Sequence, residues 1–205
     1  MAGCECGIEI KNREESRILI ILLSINALMF FIEITLGIFS ESTALIADSL
    51  DMLADATVYG IGLYAVGRAA SVKIKAAHIS GVFQIMLGTS VIVDAVRRLI
   101  WGSDPQSFLI IAIGFMALIA NIICLLLISK HREGEVHMRA SWIFSKNDVI
   151  ANLGIIVSGG LVYLLDSTFP DLIIGIIISI IVIRGGIHII KDVNNEKELL
   201  AKTTS

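Results

Sequence analysis

The chain has 205 residues, of which 56% are hydrophobic and only 17% charged, and its mean hydropathy is +0.85. Soluble domains carry about 25% charged residues, so the composition excludes an ordinary soluble domain and indicates a polytopic membrane protein. The net charge of −3 singles out no partner, and no nucleic acid is expected.

Only two prolines and an abundance of Ile, Leu, Val and Ala favour helices. A β-barrel would show segments of about 10 residues with alternating polarity. Residues 1–17 form a polar leader with Cys4, Glu5, Cys6, Lys11 and Arg13. It lacks the charged, apolar and cleavage regions of a signal peptide, so the first apolar stretch is expected to stay as a membrane helix. The three cysteines suggest no disulfide framework. Cys4 and Cys6 either capture a soft metal such as Zn, Cd or Cu(I) or are incidental to a polar tail.

A membrane helix needs about 20 mostly apolar residues. Six stretches qualify: Ile18–Phe39, Thr43–Val66, Ala76–Trp101, Phe108–Ser129, Ser141–Leu165 and Leu172–Ile190. The expected organisation is a leader over 1–17, a six-helix transmembrane domain over 18–191 and a short polar tail over 192–205. Basic residues gather on one side: Lys11, Arg13 and Arg17; Arg68, Lys73 and Lys75; Lys130, Arg132 and Arg139; Lys191, Lys197 and Lys202. The other side holds only Arg97 and Arg98. Positive charge marks the cytoplasmic face, so both termini are expected there.

Polar residues inside these stretches carry the functional signal. A carboxylate at the bilayer centre costs at least about 2.5–3.5 kcal/mol. The second stretch nevertheless holds Asp48, Asp51 and Asp55, which spacings of three and four place on one helix face. Asp51 and Asp55, one turn apart, repel each other. A divalent cation would satisfy both charges, and protons are the alternative occupants. That is the chemistry of metal–proton exchange. On the fifth stretch Asp148 and Asn152 are also one turn apart, and with Asp51 and Asp55 they make a candidate set of four oxygen donors. Asn147 and Asp48 are further candidates. Oxygen ligands suit Mn, Mg and Ca, and Zn accepts carboxylates too.

Other polar residues have plainer readings. Asp48 either joins the site or bonds a neighbouring helix. Glu33 is a proton relay or a structural partner. Asn26 and Asn121 suit interhelical hydrogen bonds, and Cys124 packs in an apolar run. Asp94 is expected to pair with Arg97 and Arg98. Arg184 snorkels or pairs with an acid, and His188 is interfacial.

The run Ser42-Thr-Ala-Leu-Ile-Ala-Asp48-Ser-Leu-Asp51-Met-Leu-Ala-Asp55 resembles the second-helix signature of the cation diffusion facilitator family. Asn147-Asp148-Val-Ile-Ala-Asn152-Leu-Gly154 is similar to its fifth-helix pattern, and Asn26, Glu33, Gly37, Asn121 and Asp171-Leu-Ile-Ile-Gly175 also fit. The resemblance implies that Asp51, Asp55 and Asp148 bind metal. It implies proton-coupled export of divalent transition metals, most often Zn²⁺, by alternating access in a homodimer. The metal is substrate, and no cofactor is expected.

Two departures stand out. Where the family usually has His or Asp, four residues before Asp148, this chain has Phe144. Asn152, Asn147, Asp48 or water would then complete the site. Most members also carry a cytosolic domain after the sixth helix, which this sequence does not show. Dimerisation is then expected through membrane helices, with Gly159-Gly160 or Gly185-Gly186 as small-residue contacts.

The leading expectation is therefore a Zn²⁺, Cd²⁺ or Co²⁺ exporter exchanging metal for protons in a prokaryotic inner membrane. An Mn²⁺ or Fe²⁺ exporter, and a non-transporting membrane metal sensor or partner protein, are the alternatives. A metal-dependent hydrolase would want histidine ligands and an activated water, and no His-Glu-x-x-His motif occurs, so an enzyme is not expected.

Overall fold

The computed structural model describes residues 5–65, 70–129 and 136–203. Its described residues form six helices: α1 (Glu5–Phe39), α2 (Thr43–Ala65), α3 (Ala70–Trp101), α4 (Ser107–Ser129), α5 (Val136–Leu165) and α6 (Phe169–Thr203). The two prolines punctuate rather than interrupt: Pro105 lies between α3 and α4, and Pro170 sits in the first turn of α6, where no intrahelical N–H is lost. Gly102 ends α3 at φ 84°, the left-handed conformation a helix stop commonly requires of glycine.

The helices run past their apolar spans. α1 begins well inside the expected polar leader, α3 starts at Ala70 and α5 at Val136, within the expected connections, and α6 continues through most of the tail. Propensity explains this, because segments such as Glu196-Lys-Glu-Leu-Leu-Ala-Lys202 are good helix formers without being membrane-soluble. Cys4, Ser205 and Thr204, and the side chains of Cys6 and Phe144, lie outside the described residues.

Five helices are long and apolar enough to cross a membrane, over Ser16–Phe39, Ala77–Trp101, Ser107–Ser129, Ser145–Leu165 and Phe169–Asn195. α2 falls outside that set because its three aspartates break the apolar run. It lies instead at the centre, against α1, α3 and α6 and touching α4 and α5. An acidic helix in a bilayer is tolerable when other helices shield it from lipid. Large apolar side chains such as Phe31, Trp101, Phe108 and Tyr163 point outward, as lipid requires.

The end of the bundle where α1 begins and α6 ends is called inner here; the other is outer. On the outer half, Leu45, Val91, Ile110, Ile155 and Ile178 join α2 through α6 in one core. On the inner half, Leu19, Leu22, Tyr59, Cys124 and Ile128 close α1, α2 and α4. Among the described residues, no equivalent cluster fills the inner space between α2 and α5 on one side and α3 and α6 on the other.

The α3–α6 contact depends on glycine. A Cβ on Gly81 would stand 2.8 Å from the Gly186 carbonyl oxygen, one on Gly186 would stand 2.6 Å from that of Gly81, and one on Gly88 2.8 Å from that of Ser179. The expected dimer glycines are thus largely committed within the chain: Gly186 to α3, and Gly159 to Ile110 of α4 at 2.9 Å. Gly160 faces open space. Gly186→Val should destabilise the protein by about 1–3 kcal/mol through overpacking, read as a lower thermal midpoint in detergent. Gly160→Val should leave that midpoint unchanged.

Candidate functional site

A cavity of about 300 Å³ opens at the unfilled inner space between α2, α3, α5 and α6. Its polar wall consists of Asp51 and Asp55 from α2, Gln84 from α3, Asn147 and Asp148 from α5, and Arg184 and His188 from α6. Helical periodicity builds it: spacings of four on α2 and α6 turn Asp51 with Asp55, and Arg184 with His188, toward the same space. Ile181, Val182 and Gly185 complete the α6 side.

The carboxylates meet across helices. Asp55 neighbours Asp51 on its own helix and Asp148 on α5. The Tyr59 hydroxyl, one turn on, donates to Asp55 Oδ2 at 3.2 Å. Three acids on one wall bring strong negative potential into a low-dielectric site, which attracts cations. Among the described residues, no three His, Cys, Asp or Glu groups are already gathered in coordination geometry.

The candidate donors separate into two groups. Asp51, Asp55, Asp148 and Asn147 line the cavity. Asp48 and Asn152 lie deeper, 1% and 0% exposed. Asn152 Nδ2 donates to Asp48 Oδ1 at 3.4 Å and to the Asp148 carbonyl at 2.8 Å. The fully buried Glu33 carboxylate lies against Asp48, and neither of its oxygens receives a donor. Buried acids side by side demand a neutralising proton or cation, and Glu33 with Asp48 stands on the outer side of the acidic wall.

The outer end is stapled. Asp171, at the start of α6, accepts Ser42 Oγ at 2.5 Å, the Thr43 backbone N–H at 2.5 Å and that of Ala44 at 3.3 Å. It thereby caps α2 from another helix. The expected Asp94 pairs form, at 2.7 Å to Arg97 and 2.6 Å to Arg98, and Arg98 also donates to the Glu41 carbonyl at 2.5 Å. The Asp104 backbone N–H donates to Glu41 Oε2 at 3.0 Å.

Sequence reasoning reached the three carboxylates and the Asp94 pairs. Asn26 forms the interhelical contact expected of it, with Nδ2 3.9 Å from Cys124 Sγ. It gave no role to Gln84 and did not foresee Tyr59, although the Asp55–Tyr59 spacing of four was a readable signal. It expected Arg184 to snorkel or pair, and the structure puts it in the cavity wall.

Comparison with known proteins gives a concordant result. The profile of the cation efflux transmembrane domain matches residues 19–195. The chain is 34% identical over 136 residues to the vacuolar zinc transporter ZRC1 of Saccharomyces cerevisiae, covering 58% of this chain and 30% of that protein. It is 24% identical over 194 residues to the zinc transporter ZitB of Escherichia coli, covering 88% and 62%. It is 24% identical over 170 residues to the cadmium, cobalt and zinc/H(+)-K(+) antiporter of Bacillus velezensis, covering 76% and 54%. The chain therefore spans less than two thirds of the length of each of these relatives.

Proposed function

Since the chain belongs to the cation efflux family, we propose that it exports divalent transition-metal cations from the cytoplasm in exchange for protons, with Zn²⁺ first and Cd²⁺ and Co²⁺ next among its substrates. The observation that carries this reading is the acidic cavity, in which Asp51, Asp55 and Asp148 line one space. The zinc transporters it resembles, and the antiporter name of one relative, support the substrate class and the coupling.

The mechanism follows from charge. With the inner end facing the cytoplasm, the metal enters the cavity and is held by Asp51, Asp55 and Asp148, with Asn147 alongside. Helices on the two sides of the cavity then rock, the outer contacts of Arg98 with the Glu41 carbonyl and of Asp171 with Ser42 part, and the inner space closes. On the outer side protons take the carboxylates and release the metal. Crossing with the carboxylates empty and charged is the costly step, because desolvated like charges repel. That cost couples the two fluxes. Asp48, Asn152 and Glu33 sit behind the wall and steady or discharge it. The protein acts in a membrane, and a prokaryotic inner membrane and a homodimer are part of the proposal.

A second metal preference has its own support. The donors in the cavity's acidic wall are oxygens, which favours Mn²⁺ or Fe²⁺ over the softer ions. Phe144 stands one turn before Asp148 on α5, so Phe144→His should shift the transport preference toward Zn²⁺ over Mn²⁺. An unchanged ratio would remove that position from the site. Uptake of radiolabelled Zn²⁺ into proteoliposomes tests the transporter reading. Saturable uptake into the lumen supports it. Metal binding without uptake would make the protein a membrane sensor or partner instead.

A further inference from the structure

Among the described residues, Gln84 is the one that α3 places in the wall of the acidic cavity. It is 5% exposed, and its Oε1 is buried without a hydrogen-bond donor. Leaving an amide oxygen unpaired in an apolar bundle costs about 1–3 kcal/mol, so an amide at this place calls for a partner that no described protein group supplies. Its surroundings also hold it in position. The glycine-mediated approach of α3 and α6 brings Gly186 so close that an added Cβ would lie 3.1 Å from Gln84 Cβ, while one on Gly185 would lie 3.5 Å from Oε1. The side chain lines the same cavity as the carboxylates of α2 and α5, and among the described residues α3 contributes this neutral group alone.

We propose that Gln84 contacts the metal in the cavity through its amide oxygen and helps set which metals the protein prefers. The proposal rests on the reading of the cavity as the metal site. A half-turn about the last side-chain bond presents either the carbonyl or the NH₂ to the same space, and that bond has a broad, two-fold profile. A cation selects the carbonyl. The contact adds an oxygen donor without adding a fourth negative charge, so binding is strengthened without making the empty site harder to discharge. It also comes from a third helix, α3, of which no other described side chain lines the cavity. A neutral oxygen donor favours hard ions over soft ones.

The test is metal binding by titration calorimetry on the purified full chain, with Mn²⁺, Zn²⁺ and Cd²⁺, for wild type, Asp51→Ala, Gln84→Leu, Gln84→Glu and Gln84→His. Gln84→Leu should weaken Mn²⁺ binding about tenfold, as loss of a metal-supporting group does, and Cd²⁺ binding much less. Gln84→Glu, which keeps the oxygen, should restore Mn²⁺ affinity. Gln84→His should move the ratio toward Zn²⁺ and Cd²⁺. A residue that only packs α3 against α6 would lower the affinities for all three metals together, and that result overturns the proposal, as does wild-type affinity throughout in Gln84→Leu. Wild-type binding lost in Asp51→Ala but unchanged in every Gln84 variant would leave the cavity reading standing and remove Gln84 alone. Absence of binding to wild type, or binding unaffected by Asp51→Ala, would remove both.

Discussion

Asp51→Ala is expected to abolish metal transport while the protein still folds and inserts. The substitution removes a carboxylate from the cavity wall and leaves the helical backbone a better former than before. Loss of a group that merely orients a metal ligand costs about 10–100-fold, so loss of a direct ligand should exceed about 100-fold. Asp148→Ala should match it, because α5 offers no second carboxylate at the cavity. Radiolabelled uptake at several metal concentrations is the measurement, with a thermal midpoint as the folding control. Either mutant with full transport would remove that residue from the site.

Asp171→Ala should cause the largest loss of stability. The side chain is 1% exposed and accepts three hydrogen bonds from the Ser42–Ala44 segment, itself buried. Truncation strands those donors where neither water nor another acceptor reaches. Hydrogen bonds to a charged group contribute about 1.5–3 kcal/mol each and a stranded donor costs about 1–3 kcal/mol, so a net loss of about 3 kcal/mol or more is expected. Asp171→Asn keeps one acceptor oxygen and should lose less. Thermal unfolding in detergent checks both, and an unchanged midpoint in Asp171→Ala would contradict the capping role. Because the same contact ties the outer end of α2 to α6, surviving Asp171→Asn protein should also open outward more readily. A thiol reagent applied to a cysteine introduced at Ser40 would read that opening.

Much of this was legible before any coordinates. The six helices and the acidic stripe of α2 follow from hydropathy and from spacings of three and four, which are local properties of the chain. The pairing of Asp94 with Arg97 and Arg98 is local too, since all three share a turn and a half of α3. What the sequence hid depends on which helix meets which. Asp48 and Asp51 look equivalent on a helical wheel, yet a rotation by three residues turns one toward Asn152 and Glu33 and the other toward the cavity. Gly185-Gly186 reads as a dimer contact until α3 is seen against it. Gln84 reads as an isolated polar residue until α2 and α5 place carboxylates in the same cavity. The helices extend beyond the expected membrane spans because membrane solubility stops at the first charged turn, while helix propensity continues beyond it.

The most direct test of the account is proton movement coupled to metal in proteoliposomes, followed with a pH-sensitive dye in the lumen. The account predicts that Zn²⁺ added on the side of the open cavity drives protons in the opposite direction, in proportion to the metal moved, and that Asp51→Ala shows neither flux. Metal uptake with no proton counterflow, or counterflow that persists in Asp51→Ala, would contradict it.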